Sequence, residues 1–149
     1  MNHLTVDQLK ERVGHELGSS EPFVITQERI DQFADATEDH QWIHVDPERA
    51  RSGPFGGPIA HGYLTLSLLP HLIAQAYQVT GVRMGVNYGL NRLRFPSPVP
   101  AGASVRGTFT LNDLKPVEGG VQVVVGFEVR ADGGAKPAAA GEAVFNYYQ

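Results

Sequence analysis

The sequence of 149 residues predicts an α+β fold in which an antiparallel sheet packs around one apolar helix. The first observation is the segment 61–79, which is apolar on nearly all sides, as buried helices are. The second is the pattern after residue 81, where apolar and polar residues alternate as in strands with one buried face. A length of 149 residues suits one domain, which we expect to span residues 1–149.

Shorter elements precede the apolar helix. We predict a helix at 4–13, a short strand at 23–25 and a helix at 27–37 that Thr26 caps. A further helical turn begins at Pro47 with Asp46 as its cap, and 52–58 is a glycine- and proline-rich loop. Pro70 lies inside the apolar helix and should kink it, or else mark the end of one helix and the start of another.

The second half contains four or five predicted strands. Alternating runs occupy 82–88, 93–95, 105–111, 121–129 and 143–147. Residues 118–120 and 132–134 are rich in glycine and suit hairpin connections. We therefore predict a meander whose buried face covers the apolar helix.

Composition excludes several classes of function. A formal net charge of −4 gives no general attraction to nucleic acid. No apolar run approaches the ~18 residues that a membrane span needs, and the first residues lack the pattern of a signal peptide. The chain has no cysteine, which excludes disulfides, thiolate metal sites and cysteine nucleophiles. We expect a cytoplasmic protein that binds neither nucleic acid nor membranes.

The segment 36–47 has the richest chemistry, with two histidines, three carboxylates and the only tryptophan. Asp39 and His44 are five residues apart, so they would diverge on a helix and converge only across a turn. A converging carboxylate and imidazole form an acid/base pair that works near neutral pH. The alternative is structural, with the aspartate capping a turn and the histidine bonded to a backbone carbonyl.

The same segment allows a weaker metal hypothesis. His40 and His44 have the spacing of two ligands on one helical face, and Asp46 or His61 could complete the set. No glutamate lies between the histidines, and Trp42 and Ile43 suit a hydrated ion poorly. We predict no metal site and no cofactor.

A second candidate site is the glycine-rich loop that leads into the apolar helix. Free N–H groups at a helix start favour a ligand that carries negative charge, such as a carbonyl with developing enolate character. Gly62 allows a substrate to approach the backbone closely. We assign Ala60, His61, Gly62 and Tyr63 to substrate binding; an ordinary loop and cap is the alternative.

The third candidate is the segment 87–99. Arg92 and Arg94 are two residues apart, so they share one face of a strand and could bind a phosphorylated tail. An edge strand protected by charge explains the same residues equally well. We assign Asn87, Tyr88, Arg92 and Arg94 to substrate binding.

Together these segments resemble the MaoC-like dehydratases, the single-hot-dog relatives of (R)-specific enoyl-CoA hydratases, and above all the nodulation-protein-N-like subgroup. The family motif Asp-x-Asn-Pro-aliphatic-His corresponds to residues 39–44, with Gln41-Trp42 in place of Asn-Pro. Residues 58–62 match the segment that leads into the central hot-dog helix, and 93–95 with 98–102 match the strand after it. The resemblance covers roughly residues 10–149.

The resemblance implies a hot-dog fold, a homodimer and a lyase of fatty acid metabolism that acts on acyl-CoA thioesters. Such an enzyme interconverts trans-2-enoyl-CoA and (R)-3-hydroxyacyl-CoA. By this resemblance Asp39 and His44 activate the water and move the proton at C2, and the Gly62 N–H polarises the thioester carbonyl. The family's hydroxyl position on the helix corresponds to Pro70, so that role is not assigned. Alternatives are a hot-dog acyl-CoA thioesterase and a non-catalytic acyl-CoA-binding module.

Overall fold

The structure, a computed structural model, describes residues 1–149 and contains eight strands and six helices. The strands are β1 (Asn2–Thr5), β2 (Glu16–Ser19), β3 (Phe23–Val24), β4 (Tyr77–Thr80), β5 (Met84–Arg94), β6 (Ser104–Val117), β7 (Gly120–Ala131) and β8 (Ala139–Tyr148). The helices are α1 (Val6–Lys10), α2 (Gln27–Thr37), α3 (Trp42–Val45), α4 (Pro47–Arg51), α5 (Gly62–Ser67) and α6 (Leu69–Ala76). None of these helices is long and apolar enough to cross a membrane.

The main sheet is antiparallel and six-stranded, in the order β2-β6-β7-β8-β5 with β3 paired to β6. The predicted meander is correct only for β6, β7 and β8, because β5, a single strand where two runs were predicted, pairs with β8 and not with β6. The alternating residues of β6 and β7 bury one face, which includes Val105, Phe109, Val123 and Val125. Leu72 of α6 is fully buried and lies against Gly107, where a Cβ would come within 3.4 Å of the leucine Cβ. The sheet therefore covers the apolar helices as predicted, which is the hot-dog arrangement.

Two local predictions are confirmed at the level of single atoms. Thr26 accepts a hydrogen bond from the Arg29 N–H at the start of α2. Asp46 does the same for the Arg49 N–H at the start of α4, where Pro47 occupies the first helical position. Both caps depend only on neighbouring residues, so the sequence is sufficient to predict them.

The predicted helix at 4–13 is wrong at both ends, since the helix ends at Lys10 and its first residues are a strand. Residues Asn2–Thr5 form a strand that pairs in parallel with β4, and the helix begins only at Val6, after a capping box made by Thr5 and Gln8. The same pairing shortens the helix predicted at 61–79, which ends at Ala76 because Tyr77–Thr80 forms the partner strand. The helix is also interrupted at Leu68, and Pro70 lies in the first turn of α6, where its missing N–H costs little.

Strand β5 departs from the expectation of one buried face. Ten of its eleven residues are exposed, because β5 lies at the edge of the sheet beyond β8. Register shifts between Asn87 and Gly89 and between Leu90 and Arg92 interrupt the regular alternation. The chain thus presents a long strand with an unpaired edge.

Candidate active site

The chain reverses direction between α2 and α3. Glu38 ends α2 in the left-handed conformation, with φ of 63°, and α3 begins three residues after Asp39. This turn brings Asp39 back beside His44. A carboxylate oxygen of Asp39 and one ring nitrogen each of His44 and His61 lie within 4.8 Å of one another. Asp39 and His44 therefore converge across a turn, which is the condition that their spacing set for an acid/base pair.

His44 is buried and held from two sides. Its Nδ1–H donates to the carbonyl of Ile59 (2.7 Å), and its backbone carbonyl accepts from the Gln27 side chain (2.7 Å). A carbonyl only accepts, so this bond places the proton on Nδ1 and leaves Nε2 with a free lone pair in the neutral ring.

Burial lowers the pKa of His44 below its ordinary value of 6.5, and the neighbouring His61 lowers it further. The hydrogen bond to Ile59 and the charge of Asp39 act in the opposite direction without reversing the result. His44 is therefore mainly neutral near pH 7, which is the state that a general base needs.

His61 lies directly against His44. The two rings stack with centroids 3.9 Å apart and planes 22° apart, and Phe33 packs on His61 at 4.9 Å. The Nε2–H of His61 donates to the backbone carbonyl of Asp39 (3.0 Å), whereas its buried Nδ1 has no hydrogen-bond partner. His61 thus contacts both members of the predicted acid/base pair.

The Asp39 side chain itself is lightly held. It is exposed, and its carboxylate accepts one long hydrogen bond from the Gln41 N–H (3.4 Å). A carboxylate in this position remains available to water and substrate.

The metal hypothesis based on His40 and His44 is wrong in its geometry. His40 is exposed and pairs with Asp35 at 3.0 Å, and this hydrogen bond raises its pKa. The set that could offer three ligands is instead Asp39, His44 and His61. One nitrogen of each of these histidines already donates to a backbone carbonyl, and we assign no metal to the set.

Gly62 begins α5, so its N–H has no acceptor within the helix. A Cβ at this position would come within 2.8 Å of the Phe95 ring, so only glycine permits this close packing. Tyr63 is exposed and meets Phe95 edge to face at 6.0 Å. Ala60 is buried, and its N–H donates to the Val99 carbonyl. The four predicted residues 60–63 therefore adjoin the acid/base pair through His61, with Gly62 and Tyr63 beneath and beside Phe95.

The Gln41-Trp42 step, where this chain departs from the family motif, is packed against the following loop. A Cβ at Gly53 would come within 2.9 Å of the Trp42 ring, and the Arg49 guanidinium lies 4.4 Å from the ring centroid. Trp42 thus ties α3 to the end of α4 and supports the turn by side-chain packing rather than by a proline.

Asn87 lines a cavity of about 390 Å³ between the helices and the edge of the sheet. Leu66, Pro70, Leu90 and Phe145 contribute most of its apolar wall. The cavity follows the flank of α5 and α6, the helices that begin at Gly62.

Arg92 and Arg94 lie on the other face of the sheet. Arg92 is opposite Glu142 in the register, and Arg94 is opposite Ala140. Both line an open basin of about 680 Å³ whose lining includes Thr108. Within one chain the fold does not bring these arginines to the Asp39–His44 pair. Tyr88 likewise lines an outer-face cavity, with Asp113, Lys115 and Gln122 among its other residues.

Three residues around the pair were not predicted from the sequence. The Ile59 backbone carbonyl accepts from the His44 ring, the Gln27 side-chain amide donates to the His44 backbone carbonyl, and Phe33 packs on His61. A contact through a carbonyl leaves no residue-type signal. Phe33 was recognised only as an apolar position on α2, and its spacing identified a buried face without identifying the partner.

Comparison with known proteins identifies the family of the chain. The sequence profile described as MaoC-like domain matches residues 8–132. The chain is 51% identical over 144 residues to 3-hydroxyacyl-thioester dehydratase Z of Mycobacterium tuberculosis, covering 96% of this chain and 95% of that protein. It is 47% identical over 134 residues to Nodulation protein N of Rhizobium leguminosarum bv. viciae, covering 89% and 83%.

A solved structure confirms the fold. The (R)-hydratase from A. caviae, described as involved in PHA biosynthesis, superposes with a TM-score of 0.71 at 28% identity, covering 87% of this chain and 95% of that one. The predicted hot-dog fold and the family resemblance are therefore confirmed.

Proposed function

The chain belongs to the MaoC-like domain family, and from this premise we propose that it is an (R)-specific hydratase/dehydratase that interconverts trans-2-enoyl-CoA and (R)-3-hydroxyacyl-CoA. The observation that carries the proposal is the convergence of the Asp39 carboxylate with a buried histidine that is mainly neutral near pH 7. The printed name of the 51% identical relative, a 3-hydroxyacyl-thioester dehydratase, supports the same reaction.

In the hydration direction, the free Nε2 of His44 takes one proton from a water molecule while Asp39 holds the water. The water oxygen bonds to C3, and the electrons of the double bond move toward the thioester to give an enolate. The His44 imidazolium then returns its proton to C2, so that one water has been added and the free base is restored. Dehydration follows the same steps in reverse. Asp39 also stabilises the imidazolium that forms, since opposite charges attract strongly at this separation.

The enolate oxygen needs a hydrogen-bond donor, and the Gly62 N–H is the one that we assign to it. The absence of a side chain at Gly62 lets Phe95 cover this position closely. A donor that is already in place costs no rearrangement when charge develops on the carbonyl oxygen.

The acyl chain would occupy the cavity of about 390 Å³ beside α5 and α6, where Asn87 supplies a polar group in an otherwise largely apolar wall. Of the residues beside Gly62, Tyr63 is exposed and we keep it as a proposed substrate contact, whereas Ala60 and His61 are buried and would act from behind it. We keep Tyr88, Arg92 and Arg94 as proposed contacts of the coenzyme A tail, although they face the outer side of the sheet.

A hydration assay tests the function directly. Purified protein is mixed with crotonyl-CoA, and the loss of enoyl absorbance is followed together with the release of free thiol. Loss of absorbance without thiol, giving the (R)-3-hydroxy product, is the expected result. Thiol release would identify a thioesterase, and binding without turnover would identify a non-catalytic module. Repeating the assay with the acyl-carrier-protein thioester identifies the carrier.

We further propose that the chain forms a homodimer through β5. This edge strand exposes Met84, Val86, Tyr88 and Leu90, and its outer backbone groups have no partner strand. Exposed strand edges favour association, and pairing two copies across a two-fold axis removes both edges. A mass of twice 16.2 kDa by light scattering is expected.

Two coarser expectations from the sequence also remain proposals. We propose that residues 1–149 act as one domain, because one buried core extends from Leu4 near the start to Ala143 near the end. We propose a cytoplasmic location, which cell fractionation with an antibody to the chain would test.

A further inference from the structure

The most informative side chain outside the acid/base pair is His61. It is only 2% exposed, and it occupies the position immediately before Gly62, at the start of α5. Substrate would have little access to a ring that is so deeply buried between His44 and Phe33. The presence of a histidine at this buried position therefore needs an explanation other than contact with substrate.

The turn at 39–44, which contains Asp39 and His44, is bound to the segment 59–61 by three hydrogen bonds. The Ile59 N–H donates to the Ile43 carbonyl (3.0 Å), and the His44 Nδ1–H donates to the Ile59 carbonyl (2.7 Å). Both bonds secure the His44 end of the turn. The third, from the His61 Nε2–H to the Asp39 carbonyl (3.0 Å), secures the other end.

The Asp39 end depends on this third bond more than on any contact of its own side chain. The Asp39 carboxylate has only the long contact with the Gln41 N–H, and Glu38 before it is in the left-handed conformation. Without the bond from His61, the backbone at Asp39 would be held by the turn alone. The carboxylate would then lose its fixed direction toward His44.

The unpartnered Nδ1 supports the same interpretation. A buried nitrogen without a hydrogen-bond partner is unfavourable, so an apolar residue would be preferred if only packing were required. Histidine supplies a ring that stacks on His44 and an N–H that reaches Asp39. An apolar side chain could stack on His44 but has no N–H to donate to Asp39.

We infer that His61 is a positioning residue of the hydratase reaction, which orients the Asp39 carboxylate through its backbone carbonyl and holds the His44 ring by stacking. This inference rests on the proposed function, since it assigns Asp39 and His44 to the chemistry. It replaces the substrate-binding role expected for His61. It also explains how the pair keeps a fixed relation to Gly62, because His61 and Gly62 are adjacent in the chain.

The test compares two variants of similar size, His61→Gln and His61→Met. Glutamine keeps an N–H that can reach the Asp39 carbonyl, whereas methionine has none. We expect His61→Met to lower kcat by ~10²-fold, the scale of a small misplacement of a reacting group, and His61→Gln to recover at least ~10-fold of that loss. KM should change by less than ~3-fold in both, because the bond does not touch bound substrate.

Several results would overturn the inference. These are wild-type kcat in a folded His61→Met, equal losses in the two variants, or a loss that appears in KM instead. Thermal unfolding identifies a variant that has failed to fold. If methionine prevents folding, ¹⁵N spectra of the wild-type histidines at about pH 8.5 decide, since neutral His61 must carry its proton on Nε2 to bond to a carbonyl. A proton on Nδ1 would contradict the proposed bond.

The spectra need no turnover, so they separate this inference from the proposed function. If the wild-type protein is inactive on every enoyl thioester, the proposed function is refuted. If the wild type is active but the His61 variants give one of the contradicting results above, only the positioning role of His61 is refuted, and the proposed function stands.

Discussion

Replacement of either member of the acid/base pair should abolish most of the activity while leaving the fold intact. We expect Asp39→Asn and His44→Gln each to lower kcat by at least ~10²-fold, the usual scale for a lost general acid or base. This loss corresponds to ~2.7 kcal/mol of transition-state stabilisation at 25 °C. The measurement is the rate of crotonyl-CoA hydration at saturating substrate.

The structure indicates why the fold should survive. Asp39 is exposed and its carboxylate makes one hydrogen bond of 3.4 Å, so the amide of asparagine removes charge but little packing. His44 is buried, yet glutamine retains an amide N–H that can seek the Ile59 carbonyl. Thermal unfolding should therefore show a larger change for His44→Gln than for Asp39→Asn.

The chain supplies a matched control in Asp35 and His40. These residues have the same five-residue spacing and form an aspartate–histidine pair at 3.0 Å, but both are exposed. Asp35→Asn and His40→Gln should leave kcat within ~2-fold, as expected for an exposed ion pair outside the site. Near-normal kcat in folded Asp39→Asn or His44→Gln would remove that residue from the mechanism. Large losses in the control pair would show that the surface around the turn, rather than the pair, sets the rate.

Three further predictions concern pH, assembly and the coenzyme A tail. Because burial lowers the pKa of His44, kcat/KM should be level at pH 7 and fall only as the pH drops through an apparent pKa below 6.5. The stability of the fold should decline over the same pH range, because the unfolded chain binds the His44 proton more readily than the folded chain does. A pH–rate profile with an acid limb at or above 6.5 would contradict this. On the unpaired β5 edge, Val86→Lys should shift the wild-type mass of twice 16.2 kDa toward 16.2 kDa in light scattering, and a monomeric wild type would exclude the interface. Arg92→Ala and Arg94→Ala should each raise KM for coenzyme A substrates more than they lower kcat, with an effect that shrinks as salt rises. The control is Arg83→Ala, which should not raise KM, because Arg83 lies just before the opposite end of β5 and donates to the Gln149 carbonyl. Equal KM values for wild type, Arg92→Ala and Arg94→Ala at low salt would place the tail elsewhere.

The local elements were predictable because their causes lie within a few residues. The cap of α2 by Thr26 and the cap of α4 by Asp46 need only the residues that follow them. The alternation along β7 needs only a sheet with one buried face. The Asp39–His44 spacing, with its requirement for a turn, also belongs to this level, and the family motif selected the catalytic interpretation.

The tertiary structure decided what depends on residues that are far apart in the chain. Strand β1 exists because it pairs with β4, and β5 is exposed because it pairs with β8 at the edge of the sheet. Register shifts in β5, which alternation alone does not reveal, set the final register that places Arg92 and Arg94 on the outer face. No periodicity in a short window records any of these pairings.

The same division holds within the site. The sequence, read with the family motif, predicted which side chains form the acid/base pair: Asp39 and His44. Only the tertiary structure decided which nitrogen of His44 is free, because the Ile59 carbonyl that binds Nδ1 lies fifteen residues away and carries no side-chain signature. It also decided that His61 lies beneath His44 and fastens Asp39, since stacking and a bond to a backbone carbonyl arise only when the turn at 39–44 packs against the start of α5.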